Sequence, residues 1–382
     1  MKTVIVNAHV ISPGVDMPCA AVEIVGGKIT KVAKAAKPGK NDWVFDAKGA
    51  YVVPGFIDVH LHGACGYDVC DATVEAIEKI AEAKLAEGCT SFLPTTLTVG
   101  NDNLVAAAKA VAEYRKTTKF SKVAGIHLEG PFINSKCCGA QNPKFVRKPD
   151  MKEVLAIDRI SPVKMVSYAP EQSGGAAFAA ACLKRGIVPS CGHTGAKLKE
   201  FMPAYGKGLR HMTHFCNQMT PLHHREIGMV GAGFLIEDLN TEVICDKIHL
   251  CPDMLRLVFT RRNLAHVQII TDSLRCSHCK DGYEFSMGGL GVKLENGEAR
   301  LVEGGNLAGS TLWMGDGLKN VHEVTGIALK DLVRTTSWNQ AIELGWGDEL
   351  GKVEKGFRAD LVVVNPKSWK PVAVFVDGEQ RI

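Results

Sequence analysis

Three observations predict an α/β protein, a (β/α)8 TIM-type barrel with a small β-sandwich domain built from both termini. The middle of the chain alternates short apolar runs with helix-like segments, eight such runs can be counted, and the two ends share a separate strand-and-turn style. The length of 382 residues fits, because a barrel of this kind absorbs about 250 residues as one unit and leaves enough for one small companion. The expected partition is 1–53 with 351–382 for the discontinuous β-sandwich and 54–350 for the barrel.

The elements follow in order. TVIVNAHVI, AAVEIVGGKITKVA and DWVFDAKGAYVV are Val/Ile/aromatic runs broken by Gly27, Gly39 and Gly49, the punctuation of strands and turns. The style changes at Pro54, where FIDVHLH reads as the first barrel strand. TVEAIEKIAEAKLAEG puts Val74, Ile77, Ala81 and Leu85 on one helix face and stops at Gly88, a helix-terminating residue. CTSFLPTT is the second strand, and NDNLVAAAKAVAEYR repeats the helical pattern with Leu104, Ala108, Val111 and Ala112. KVAGIHLEG, KMVSYAPE, IVPSCGHT, LRHMTHF, EVICDKIHL and VQIITDS complete the eight. ADLVVVNP and KPVAVFVDGEQRI, with its Asp-Gly turn, return to the N-terminal style. An open doubly wound sheet would carry a Gly-rich phosphate loop after its first strand, and none follows here.

Composition narrows the function classes. With 46% hydrophobic and 23% charged residues the chain lacks the signature of disorder. A net charge of +4 without a run of five like charges argues against nucleic acid and membrane surfaces as partners. No stretch approaches the ~20 apolar residues of a membrane span, and the N-terminus lacks the pattern of a secretory signal, so a cytoplasmic location is expected. The 13 cysteines, spread from Cys19 to Cys279, read as reduced thiols. Cys276-Ser277-His278-Cys279 is a CxxC, but with no second pair to complete four ligands it reads as a loop with two free thiols.

Six of the eight strands end in residues capable of chemistry: His60 and His62, Glu129, His193, His214, His249 and Asp272. In a barrel these ends converge at the C-terminal mouth. His60 and His62, two apart on one strand, face the same side and can offer two imidazoles to one ion. Taken alone, such a pair is as often structural as ligating, and a single glutamate such as Glu129 at a strand end is more often a solvated rim charge. Together, His, His, Glu, His, His and Asp at strand ends make a nitrogen/oxygen set suited to zinc or a similar divalent ion. His127, two residues before Glu129, falls one layer deeper and reads as a packed core or supporting residue.

This order of motifs resembles the amidohydrolase superfamily. Within it, PGFIDVHLHG (54–63), HLEGPFIN (127–134), GAQNPKFVR (139–147), GHT (192–194), THFCNQM (213–219), HHREIG (223–228), TDS (271–273) and LAGSTLWM (307–314) are similar to the N-acetylglucosamine-6-phosphate deacetylase family. KGFRADLVVV (355–364) matches a superfamily-wide C-terminal signature. The resemblance implies metal-dependent hydrolysis of N-acetyl-D-glucosamine 6-phosphate to D-glucosamine 6-phosphate and acetate. It implies one or two divalent cations per subunit, zinc first, with iron, cobalt or manganese as substitutes.

By the same resemblance Glu129, His193 and His214 hold the principal ion, while His60 and His62, with Glu129 and Asp272, hold a second. Asp272 is then the acid/base and His249 the oxyanion partner. Ala140, Gln141, Asn217, Gln218, Arg225, His249, Leu307, Ala308 and Gly309 fall on substrate-contacting positions. Arg225 offers a planar charged fork for phosphate, and in relatives the equivalent arginine reaches the neighbouring subunit's substrate, which implies a homodimer. The chain departs from the family pattern at Gln218, where alanine is usual, at Cys216, and at Cys137-Cys138, where many relatives carry two lysines. Three other readings stand beside this one: the galactosamine epimer as substrate, a cyclic-amide hydrolase, and a metal-free barrel serving as a scaffold. Glu129 in HLEGP, in place of a carbamylated lysine, and HHREIG argue against the second, and the full ligand set argues against the third.

Overall fold

The computed structural model describes residues 2–382. Eight parallel strands form the barrel: Phe56–Leu61, Cys89–Thr96, Ile126–Glu129, Val163–Tyr168, Val188–Cys191, His211–Met212, Asn240–Ile244 and Val267–Ile270. Each pairs with the next in chain order. They are buried on both faces, which is why they read as apolar runs rather than as alternating ones. The first and eighth strands meet through a seam instead of a regular ladder. Asp272 N donates to His60 O at 2.9 Å, and His62 N and Gly63 N donate to Ser273 O at 2.8 and 2.9 Å. Below them the Asp58 carboxylate accepts from Thr271 N at 3.3 Å and from the Thr271 hydroxyl. The seam sets the first-strand histidines beside Asp272.

The helix Val74–Ala86 starts where Thr73 accepts from Ala76 N and gives way at Gly88, whose φ is +89°. Ile77, Ala81 and Leu85 are buried as expected, whereas Val74, in the first turn, is 38% exposed. In Asn101–Thr117 the buried face runs through Leu104, Ala107, Ala108, Val111 and Tyr114, so the stripe turns slightly past the expected Ala112. No helix is long and apolar enough to cross a membrane among the described residues.

Both chain ends enter one mixed eight-stranded sheet. Thr3–Ser12 lies at its centre, antiparallel to Val15–Val25 and parallel to Trp43–Asp46 and Tyr51–Pro54. Tyr51–Pro54 pairs antiparallel with the C-terminal Leu361–Val364, with Pro54 opposite Leu361. Side chains alternate across this junction: Val52, Leu361 and Val363 pack with Ile5, Val22 and Phe375 in the sheet's own core, while Val53, Val362 and Val364 join the barrel core. A further three-stranded antiparallel sheet, Glu284–Met287, Leu290–Glu295 and Glu298–Leu301, was not foreseen from the sequence and stands beside the barrel mouth. Its Asn296-Gly297 turn is a hairpin signal readable in the chain. All 13 cysteines are free.

Candidate active site

At the C-terminal mouth a cavity of about 340 Å³ opens over the strand ends. Glu129 ends the third strand and is 2% exposed. One of its oxygens, Oε1, lies 3.0 Å from both His193 Nε2 and His214 Nε2, which are themselves 3.1 Å apart. Its other oxygen, Oε2, is 3.2 Å from His62 Nε2, and Asp272 Oδ1 stands 3.3 Å from the same nitrogen. His60 Nε2 completes the group at 3.5 Å from Glu129 and 3.6 Å from Asp272. His193, His214 and Asp272 take φ of +46°, +28° and +50°, a left-handed conformation unusual for residues with a Cβ. Each occupies the bend just past its strand, a departure that costs on the order of 1–3 kcal/mol and recurs where surrounding structure aims a side chain.

Three of the four imidazoles share a pattern of tautomers. His60 Nδ1 faces Glu242 Oε2 at 2.8 Å, His62 Nδ1 the carbonyl of Thr95 at 3.1 Å, and His193 Nδ1 the carbonyl of Cys137 at 2.8 Å. An oxygen acceptor at Nδ1 places the proton there and leaves Nε2 a lone pair. Those lone pairs all point at carboxylates, and His60 Nε2 is buried without a hydrogen-bond partner. Such a donor set fits a divalent cation: His60, His62 and Glu129 form one candidate group, Glu129, His193 and His214 another. His127 is excluded as a ligand, since Val59 O and Ser167 Oγ engage both its nitrogens, and burial together with the neighbouring His60 drives its pKa down to about 3.

Electrostatics point the same way. Burial penalises a charged His62, yet Asp272 and Glu129 outweigh it and push its pKa up to about 10. His60 is likewise raised despite burial, by Glu242, Asp272 and Glu129. Burial opposes ionisation of Glu129 and Asp272, but His60 and the other imidazoles hold both carboxyls below their usual range. The carboxylates thus call for positive charge on the side that faces the imidazoles, a demand that a bound cation would meet in place of the extra protons. Burial also disfavours a charged His249, and the carboxylate of Asp246, 2.7 Å from its Nδ1, reverses this and raises it.

Of the other residues expected at the site, Ala140, Gln141, Asn217, Gln218, His249, Leu307 and Gly309 line the cavity. Gln141 does more than line it: its Nε2 donates to Glu129 and its Oε1 accepts from Thr98 N at 2.7 Å. Gln218 packs on Gly139, where a Cβ would fall 2.9 Å from Gln218 Cγ, so the glycine leaves room for the longer side chain. Two residues lie elsewhere. Ala308 is wholly buried, its amide bonded to Ala299 O. Arg225 is exposed on a loop outside the cavity lining, with Nη1 2.9 Å from His224 Nε2.

The sequence reading missed Glu242, Asp246, Met287, Arg300 and Asn306. Met287, Arg300 and Asn306 line the cavity and come with the unforeseen three-stranded sheet or the segment after it. Asp246 was legible as an acid three residues before His249, and Glu242 as a carboxylate in the middle of a barrel strand, which demands a buried partner. Cys276 and Cys279 belong to no candidate metal group among the described residues.

A barrel whose strand ends gather histidines and carboxylates around a cation-sized space is the framework of a metal-dependent hydrolase. Residues 51–381 match the amidohydrolase family, and the chain belongs to that family. It is 35% identical over 352 residues to N-acetylglucosamine-6-phosphate deacetylase of Bacillus subtilis (strain 168), covering 90% of this chain and 88% of the relative. It is 31% identical over 315 residues to N-acetylgalactosamine-6-phosphate deacetylase of Escherichia coli O157:H7, covering 82% and 83%. The structure of an N-acetyl-D-glucosamine-6-phosphate deacetylase mutant from Mycobacterium smegmatis, in complex with N-acetyl-D-glucosamine-6-phosphate, superimposes with a TM-score of 0.92 at 28% identity over 100% of this chain and 99% of that one. Within the family, the branch is that of the N-acetylglucosamine-6-phosphate deacetylases.

Proposed function

We propose that the chain hydrolyses the acetamide of N-acetyl-D-glucosamine 6-phosphate, giving D-glucosamine 6-phosphate and acetate. The observation that carries this reading is the convergence of four Nε2 atoms, from His60, His62, His193 and His214, on Glu129 and Asp272 at the floor of one cavity. Glu129, His193 and His214 would hold the principal divalent ion, and His60, His62, Glu129 and Asp272 a second, with zinc the best match to the donors. Bound there, such an ion supplies Lewis acidity and brings the pKa of water down to roughly 7.

The chain's own residues do the rest. Asp272, 7% exposed at the cavity floor, takes the proton of the attacking water and passes it to the nitrogen as the C–N bond breaks. His249, whose protonated form the Asp246 carboxylate at its Nδ1 favours, donates to the oxyanion that develops on the carbonyl. Asn217, Gln218, Ala140, Leu307 and Gly309, which line the cavity, would position the sugar. Arg225 is exposed and outside its own cavity, and in this reading it would serve the phosphate bound in the second subunit of a homodimer. The site residues all fall in 54–350, which leaves 1–53 and 351–382 as a supporting domain. A charged sugar phosphate does not cross membranes, and with 13 free thiols this suits a cytoplasmic setting.

Acetate release tests the reading. N-acetylglucosamine 6-phosphate is expected to turn over far faster than the unphosphorylated sugar and than dihydroorotate; equal rates with and without the phosphate would remove the phosphate subsite. The relative acting on N-acetylgalactosamine 6-phosphate makes the C4 epimer the second substrate to assay.

A further inference from the structure

Glu242 sits in the seventh barrel strand, with a side chain wholly buried and both oxygens engaged. Oε2 lies 2.8 Å from His60 Nδ1 and accepts from His214 N at 3.1 Å; Oε1 lies 3.0 Å from His211 Nε2. His211, also fully buried, continues through Nδ1 to Glu343 at 2.8 Å. Glu343 is fastened in turn by Asn240 Nδ2 at 2.9 Å and by Gln268 Nε2. An unbroken chain His60–Glu242–His211–Glu343 thus runs from the site to the helix Trp338–Glu343 outside the barrel.

We infer that Glu242 is a positioning residue that makes the first-strand histidine pair able to hold a second ion, by fixing His60 with its proton on Nδ1 and its lone pair on Nε2. His60 has no other acceptor at Nδ1. Without Glu242 the ring is free to carry its proton on Nε2, the nitrogen facing Glu129 and Asp272, where it would hydrogen-bond to them and block a cation. Glu242 cannot swing away, because His211 and the His214 amide pin its two oxygens. Those contacts explain why a carboxylate is built into a buried barrel strand. A purely structural ion pair with His211 would need one oxygen of Glu242; the other is spent on the ligand histidine.

The inference rests on the two-ion reading above, and the test separates them. Zinc titration against a chromophoric chelator is run on the full-length wild type and on Glu242→Ala, Glu242→Gln and His60→Ala, with thermal melts as a check on folding. Wild type is expected to take two ions. Glu242→Ala should weaken the second by about 10–100-fold, the usual cost of losing a hydrogen-bond partner of a ligand, while the first stays within a few-fold. Glu242→Gln, which keeps an oxygen for His60 Nδ1–H, should recover most of the loss. A single ion in wild type ends both readings. Two ions in wild type with an unchanged second affinity in Glu242→Ala overturns only the role of Glu242. Should Glu242→Ala fail to fold, ¹⁵N-histidine NMR of the zinc-loaded wild type decides: His60 protonated on Nδ1 and metal-bound through Nε2 upholds the inference, and the reverse tautomer refutes it.

Discussion

His193 Nε2 stands 3.1 Å from His214 Nε2, and both reach the same oxygen of Glu129. Cys137 O at Nδ1 leaves His193 a lone pair on Nε2, and a cation lying against both nitrogens would hold the two rings together. Chelation should therefore lower the Tm of the protein and zinc should restore it. An ion present at a hundred times its Kd adds about 2.7 kcal/mol. Identical melting curves with and without chelator would count against a bound ion.

Glu129 turns one oxygen toward His193 and His214 and the other toward His62. Glu129→Ala is expected to lose both ions, not one, and with them acetate release. Metal content by elemental analysis, set beside His60→Ala, checks this; a Glu129→Ala protein that keeps one tightly bound ion would show that the carboxylate does not bridge.

Asp272 shares His62 Nε2 with Glu129 but touches neither His193 nor His214 within the group they form. Asp272→Asn should keep the principal ion and lose turnover by about 10²–10⁴-fold, the usual contribution of a positioned acid/base. Substantial residual activity at full metal content would reassign the proton transfer.

His211 provides the pH dependence. Burial disfavours its charge, but Glu343 and Glu242 outweigh that and push its pKa up to about 10. The folded chain thus holds this proton more tightly than an unfolded one, whose histidine titrates near ~6.5. The resulting stability is fully present below that value and is lost as pH rises through about 10. Glu343→Gln should depress Tm most at pH 6–7 and least near pH 10, with a loss on the order of 3–5 kcal/mol at the acid end. An equal deficit at both ends would show that the pair carries no charge.

Arg225→Ala should raise KM for the phosphorylated sugar while leaving kcat and the slow hydrolysis of the unphosphorylated sugar unchanged. Because Arg225 lies outside its own cavity, mixing Arg225→Ala with Asp272→Asn subunits should produce some dimers with one intact site. Measurable recovery of activity on mixing and reannealing is the expected result; none would place the phosphate contact elsewhere.

The fold was legible because its signals are local. Alternation put His60 and His62 on one face, and each apolar run became a strand whose last residues reach the mouth, as at Glu129 and Asp272. Residues whose roles depend on partners far along the chain were not legible. Glu242 meets His60 across 182 positions, and His211 meets Glu343 across 132, and no spacing rule reports such a contact. Val74 fits a helical stripe on paper, yet the first turn of its helix lies at the rim. Arg225 stands in a recognisable motif, yet its place relative to the cavity was not readable, because position in a loop is set by packing rather than by periodicity.

The pairing of Tyr51–Pro54 with Leu361–Val364 has a consequence for how the protein is made. Strands at the start of the chain leave the ribosome roughly 300 residues ahead of the strands they need. At about 5–20 residues per second they wait on the order of 15–60 s with Val52 and its apolar neighbours uncovered. Contacts this distant in sequence are slow to form, so the small sheet is the last part to be finished during biosynthesis. A stalled or C-terminally clipped chain would keep its barrel strands yet leave this sheet open along an edge, which makes the final residues a safeguard against aggregation, remote from any chemistry they never touch.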